Sequence, residues 1–166
     1  MKRFILLLSI IGMTIFFANA VYAATQTASL NVSATAVAAC SVSVTDVNFG
    51  NYVGQVQSAT GNVEVTCSPG VIYKIALDAG QHSTGADGGR RMSNGETPEE
   101  FIGYELYSDP DGNIWGDLGY GDTYPSIPVQ DLGTGAAQNH EVFADAYAAD
   151  VPAGSYSDVV QVTVNY

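Results

Sequence analysis

The chain has 166 residues, a mean hydropathy of +0.10 and a net charge of −12, with five Lys and Arg against 17 Asp and Glu. Such a surplus of carboxylates argues against nucleic acid as a partner, since binding it requires phosphate neutralisation, and against anionic membrane surfaces for the same reason. The length suits one domain with its own core.

Residues 1–23 read as a secretory signal. Lys2 and Arg3 form a positive start, Phe4 to Phe17 an apolar run, and Ala18-Asn-Ala20 and Val21-Tyr-Ala23 two small-residue cleavage sites, of which the one after Ala23 is favoured. The run is shorter than the roughly 20 residues that a membrane-spanning helix needs. Cleavage leaves 143 residues, with Lys74, Arg90 and Arg91 as the only basic side chains and a net charge of −14.

Thr27 to Val37 alternates with period two. Ala28, Leu30, Val32, Ala34 and Ala36 share one face, and Ser29, Asn31, Ser33 and Thr35 share the other. An uncharged alternating stretch ahead of the domain reads as a strand destined for another sheet's open edge. Residues 24–38 are therefore expected to be an arm, and residues 39–166 the domain.

Cys40 to Val44 and Gly61 to Cys67 read as short strands, with a bend at Gly50-Asn51 between them. An even pair of cysteines in an exported chain reads as one disulfide, Cys40–Cys67. Closing that loop is worth about 3.5 kcal/mol in the chain-entropy model. A metal site or a catalytic thiol are the alternatives, and neither cysteine has a nearby His in sequence.

Ser68-Pro-Gly70 is a turn, and Val71 to Leu77 is the most continuous apolar strand, expected to be central. Asp78 to Gly95 reads as a long loop. Phe101 to Tyr107 is the next strand, with Ile102, Tyr104 and Leu106 aligned. Ser108 to Gly121 is rich in turns around Trp115, and Asp122 to Gly135 has no clear element, since Pro125 and Pro128 oppose a regular strand. Asn139 to Tyr147 alternates weakly. In Ser155 to Tyr166, Val160, Val162, Val164 and Tyr166 share a face, and no strand follows to pair with it.

With no sustained helical period and six strands from Cys40 onward, the expected fold is an all-β, immunoglobulin-like sandwich one strand short of seven. The edge beside the last strand would then be open, with Val160, Val162, Val164 and Tyr166 lining an acceptor groove.

Residues that could carry chemistry have plainer readings. Asp109-Pro-Asp-Gly-Asn113 places carboxylates at alternate positions, as calcium loops do, but lacks the EF-hand glycine and helices, so a turn is expected and adventitious calcium is the alternative. Glu99-Glu100 reads as a solvated acidic loop rather than a glycosidase pair. His82 and His140 read as surface residues, with no nucleophile-elbow motif in the chain. Arg90-Arg91 suggests a structural ion pair or, failing that, a polysaccharide or partner contact. Trp115 reads as core, with sugar stacking as the alternative.

The ordered set of Ala38-Ala-Cys40, Val47-Asn-Phe-Gly-Asn-Tyr52, Val65-Thr-Cys67, Arg90-Arg-Met92, Gly103-Tyr-Glu-Leu-Tyr107, Ile114-Trp-Gly-Asp117 and Gly154-Ser-Tyr-Ser-Asp158 with terminal Tyr166 resembles the spore coat protein U domain family. Its better-understood members resemble subunits of archaic chaperone–usher pili. The resemblance implies an incomplete immunoglobulin-like fold whose missing strand comes first from a periplasmic chaperone and then from a neighbouring subunit's arm. Implied partners are identical or related pilus subunits, the chaperone and an outer-membrane usher. It implies export through the periplasm to a surface pilus and a role in adhesion and biofilm formation. The lack of any complete nucleophile, metal or phosphate motif predicts no enzymatic activity and no required cofactor. A monomeric secreted carbohydrate-binding module and a small secreted hydrolase are the competing readings.

Overall fold

The computed structural model describes residues 24–84 and 89–166, so the expected signal segment lies outside the described residues. Among the described residues eight strands are found: β1 (Cys40–Thr45), β2 (Gln57–Cys67), β3 (Ile72–Leu77), β4 (Arg90–Ser93), β5 (Phe101–Tyr107), β6 (Val129–Leu132), β7 (Gln138–Ala146) and β8 (Val162–Asn165). They form two antiparallel sheets, ordered β1-β2-β7-β5-β4 and β6-β3-β8. The fold is the expected all-β sandwich, contained in a compact unit spanning Ala36–Tyr166. Residues 24–35 form no regular secondary structure and are exposed.

The period-two pattern places the core. On β2, Val63, Val65 and Cys67 are buried, whereas Asn62, Glu64 and Thr66 between them are only half-buried. Tyr73, Ile75 and Leu77 of β3 and Tyr104 and Leu106 of β5 complete the inner faces with Val142 and Ala144 of β7. Each fully buried aliphatic side chain contributes about 1.5–3 kcal/mol. Trp115 is fully buried among them, and its indole N–H donates to the Ile75 carbonyl at 2.7 Å, which settles its place as core.

Two elements differ from the sequence expectation. β4 lies inside the stretch read as a loop, and β6 lies inside the stretch read as undefined. Both have only four residues, and neither Arg-Arg-Met-Ser nor Val-Gln-Asp-Leu alternates apolar with polar. β4 is held by a charged residue pointing inward, and β6 starts immediately after Pro128, at the sheet edge where proline is tolerated. The last strand is also shorter than expected. Only Val162–Asn165 is laddered, against β3. Residues before it are tied by a bridge between Ser157 and Ser93 and by Asp78, whose carboxylate accepts from the Gln161 N–H at 2.9 Å while its own N–H donates to the Gln161 carbonyl.

The structural ion pair expected at Arg90-Arg91 is made by Arg90, and His140, read as a surface residue, is half-buried. Arg90 is buried, with its guanidinium donating to Glu105 and to the carbonyls of Leu77, Asp78 and Trp115. Arg91 stacks over Phe101 and donates to the His82 carbonyl, and no ion pair to it is found among the described residues. His140 shares the inner-face parity of Val142 on β7 and meets the Tyr73 hydroxyl across the sandwich at 2.9 Å. His82 remains partly exposed beside Glu99.

Candidate functional site

Each sheet has two edge strands, β1 and β4 in one and β6 and β8 in the other, and β1 and β8 are the edges that concern the groove. Cross-strand neighbours share a face, so Val42 and Val44, opposite Val65 and Val63, point to the inner side of the sandwich. Their partners are buried, yet Val42 and Val44 are 45% and 55% exposed. Inward-pointing valines that remain wet mark a place where a layer of the core is missing.

That place is a groove of about 1130 Å³. Leu77, Ile102, Leu106 and Val142 form its apolar floor, and Val44 and Val162 stand on its two sides. The stretch Val47 to Tyr52 borders it. Phe49 packs against Tyr104 with ring centroids 6.5 Å apart, and the Tyr52 hydroxyl donates to the Tyr147 carbonyl at 2.6 Å, fastening this segment to the opposite rim.

Two polar side chains at the groove are tied to each other and to the backbone. Tyr104 donates to Asp158 Oδ2 at 2.7 Å, and Asp158 Oδ1 accepts from the Gln81 N–H at 2.9 Å. Burial, reinforced by the Asp158 carboxylate, pushes the Tyr104 phenol far above its usual value, so it stays a protonated donor. Gly80, at φ 79°, allows this approach: a Cβ there would lie 2.0 Å from Asp158 Oδ2. The groove therefore offers apolar side-chain space and free strand edges, which suits an extended chain added edge-on.

Of the residues expected to line the acceptor site, Val160 and Val162 do line the groove. Val164 packs against the core beside it, and Tyr166 is exposed. The floor from β5 and β7 was not anticipated. Its signal was the alignment of Ile102, Tyr104 and Leu106, which marks an inner face without saying whether anything covers it. Ala28, Leu30, Val32, Ala34 and Ala36 are all exposed, Leu30 and Val32 each to 88%.

Cys40 and Cys67 are bonded, S–S 2.00 Å, and face each other in the β1–β2 register. The bond secures the start of the open edge strand. Asp109 accepts from the Asp111 and Asn113 N–H groups and from the Asn113 side chain, so its carboxylate closes a turn. The Asn113 amide, followed by those backbone donors, holds the Asp109 carboxyl below its ordinary range.

The family model of the Spore Coat Protein U domain matches residues 26–163. The chain belongs to this family. No curated protein shows significant sequence similarity to it. Among solved structures it is similar to a chain in the crystal structure of the CsuC–CsuE chaperone–tip adhesion subunit pre-assembly complex from archaic chaperone–usher Csu pili of Acinetobacter baumannii. That likeness has a TM-score of 0.58 at 20% identity and covers 78% of this chain but only 40% of the other. At that identity the likeness supports the immunoglobulin-like sandwich fold and nothing finer. The Spore Coat Protein U domain here thus combines an open groove with an uncharged alternating segment ahead of it.

Proposed function

We propose that this protein is a structural subunit of a surface pilus, assembled by donor-strand exchange through a chaperone–usher pathway. The observation that carries the reading is the pair Val42 and Val44: inward-facing valines on an unpaired edge strand, beside a groove with an apolar floor and a second unpaired edge at β8. An extended segment added there would supply the missing ladder and core layer together. The arm of another copy has the required form, with Leu30 and Val32 as the large plugs and Ala28, Ala34 and Ala36 where the groove is shallow. A periplasmic chaperone would cover the same groove before assembly, because an uncovered apolar edge promotes aggregation. The usher, the surface location and a contribution to adhesion and biofilm formation follow from this reading.

The test is deletion of residues 24–37 followed by electrophoresis of unboiled surface extract. A ladder of polymers from the full chain that disappears on deletion is the expected result. An unchanged ladder, or an arm found bound within its own monomer, would overturn the reading in favour of a monomeric binding module.

A further inference from the structure

The first residue of the domain pinned to its neighbours is Ala39. Its N–H donates to Ser68 Oγ at 3.2 Å and its carbonyl accepts from the Ser68 N–H at 2.9 Å, beside the Cys40–Cys67 bond. The last inward-facing residue of the alternating arm is Ala36. Only Val37 and Ala38 separate them, and three residue steps span roughly 10 Å at full extension. If the arm fills a neighbour's groove up to Ala36, the Ser68 turn of the donating subunit must lie against the end of that groove. The two domains cannot hang on a loose tether.

Both of the surfaces brought together carry exposed aliphatic side chains. Around the Ser68 turn, Ile72 and Leu132 are directly opposite each other on β3 and β6 and are 62% and 50% exposed. β8 runs from Val162, opposite Leu77, to Asn165, opposite Lys74, and so runs toward this same end. A strand added antiparallel to β8 would leave the groove at the far end, where β1 finishes and the segment 46–56 follows. There Val53, which lines the rim of the groove, and Val56 are 77% and 66% exposed.

Resting on the strand-exchange reading, we infer that successive copies of this chain also meet face to face, with Ile72 and Leu132 of the donating subunit packed on Val53 and Val56 of the accepting one. The contact joins different patches, so it repeats without closing and builds a filament. It stiffens the joint between subunits, while the arm supplies the connection itself.

The test places a photoreactive benzophenone side chain at Leu132 of the full chain and irradiates fibres isolated from producing cells. Cross-links to residues 50–57 of a second copy are expected, present in the fibre, absent from unassembled chain, and lost in fibres of the Val56→Glu variant. The same side chain at Glu141, on the outer face of the other sheet, is expected to give none. Fibres that form normally but cross-link elsewhere, or to no other copy, would overturn this contact and leave strand exchange standing. Fibres that form without residues 24–37 would overturn strand exchange instead.

Discussion

Arg90 Nη1 and Glu105 Oε1 lie 2.8 Å apart, with both side chains almost wholly removed from solvent. Glu105 also accepts from the Tyr124 hydroxyl and the Leu106 N–H, and the Arg90 guanidinium lies 4.1 Å from the centre of the Tyr124 ring. Burial, then the Glu105 carboxylate, pushes the Tyr124 phenol well above its ordinary value, so it remains a donor. A buried ion pair contributes little net stability compared with an apolar pair, but removing one partner strands the other.

The Arg90→Met variant should therefore lose about 3–5 kcal/mol, because Glu105 would be left buried without a counter-charge and the carbonyls of Leu77, Asp78 and Trp115 without their shared donor. Equilibrium denaturant unfolding measures this. A loss within the noise of a surface substitution would show that the network relaxes around the gap.

This pair also shows where sequence reading stops. Strands β1, β2, β5 and β7 were legible because each alternates enough to betray an inner face, as Val63, Val65 and Cys67 do, β3 because its apolar run is continuous, and β8 because the alternation of Val160, Val162 and Val164 extends beyond its four laddered residues. β4 was not legible. Its inward residue is Arg90, a type that normally signals solvent, and only the three-dimensional placement of Glu105 and three carbonyls makes it an interior residue. His140 misled for the same reason. At the groove, the valines of the last strand were readable, and the floor from β5 and β7 was not, since a single sequence does not show that the layer above Leu106 and Val142 is absent.

His140 supplies a pH dependence. Burial lowers its pKa from the ordinary 6.5, with Asp131 pulling partly in the opposite direction. The groups facing it are the Tyr73 hydroxyl on β3 and the Asp131 carboxylate on β6, 3.8 Å away. Nε2 of the ring and the Tyr73 hydroxyl share a hydrogen bond. A depressed histidine pKa means that the unfolded chain binds the proton more readily, so stability is complete above 6.5 and falls as pH drops through that value toward the lower folded one. The thermal midpoint should decline between pH 7.5 and 5, and the His140→Gln variant should show a shallower slope in that window. Equal slopes would locate the dependence elsewhere.

The Cys40–Cys67 bond closes a sequence separation of 27 residues and secures an edge strand that pairs on one side only. The Cys40→Ser/Cys67→Ser variant should be less stable by about 3.5 kcal/mol in the chain-entropy model. Hydrogen exchange should place the largest loss of protection in β1 rather than in the central strand β7. Uniform loss across both sheets would mean that the bond acts on the whole fold.

The arm and the groove should respond oppositely to the same change of charge. Leu30 and Val32 are exposed, so the Leu30→Asp/Val32→Asp variant should shift unfolding of its own domain by less than about 0.5 kcal/mol. Val162 packs against the core at the groove wall, so Val162→Asp would set an unpaired carboxylate against apolar neighbours at a cost of about 2 kcal/mol. The decisive measurement adds a synthetic peptide of residues 24–38 to a chain lacking that segment. A ligand that binds only the folded state stabilises it by about 2.7 kcal/mol when present at a hundred times its dissociation constant. The native peptide should raise the thermal midpoint in a concentration-dependent way, and the same peptide carrying both aspartates should not, because each charge would have to enter the space above Leu77, Ile102, Leu106 and Val142. If both peptides stabilise the domain equally, side-chain burial in the groove plays no part in recognition. If neither does, the groove is not the acceptor for this arm.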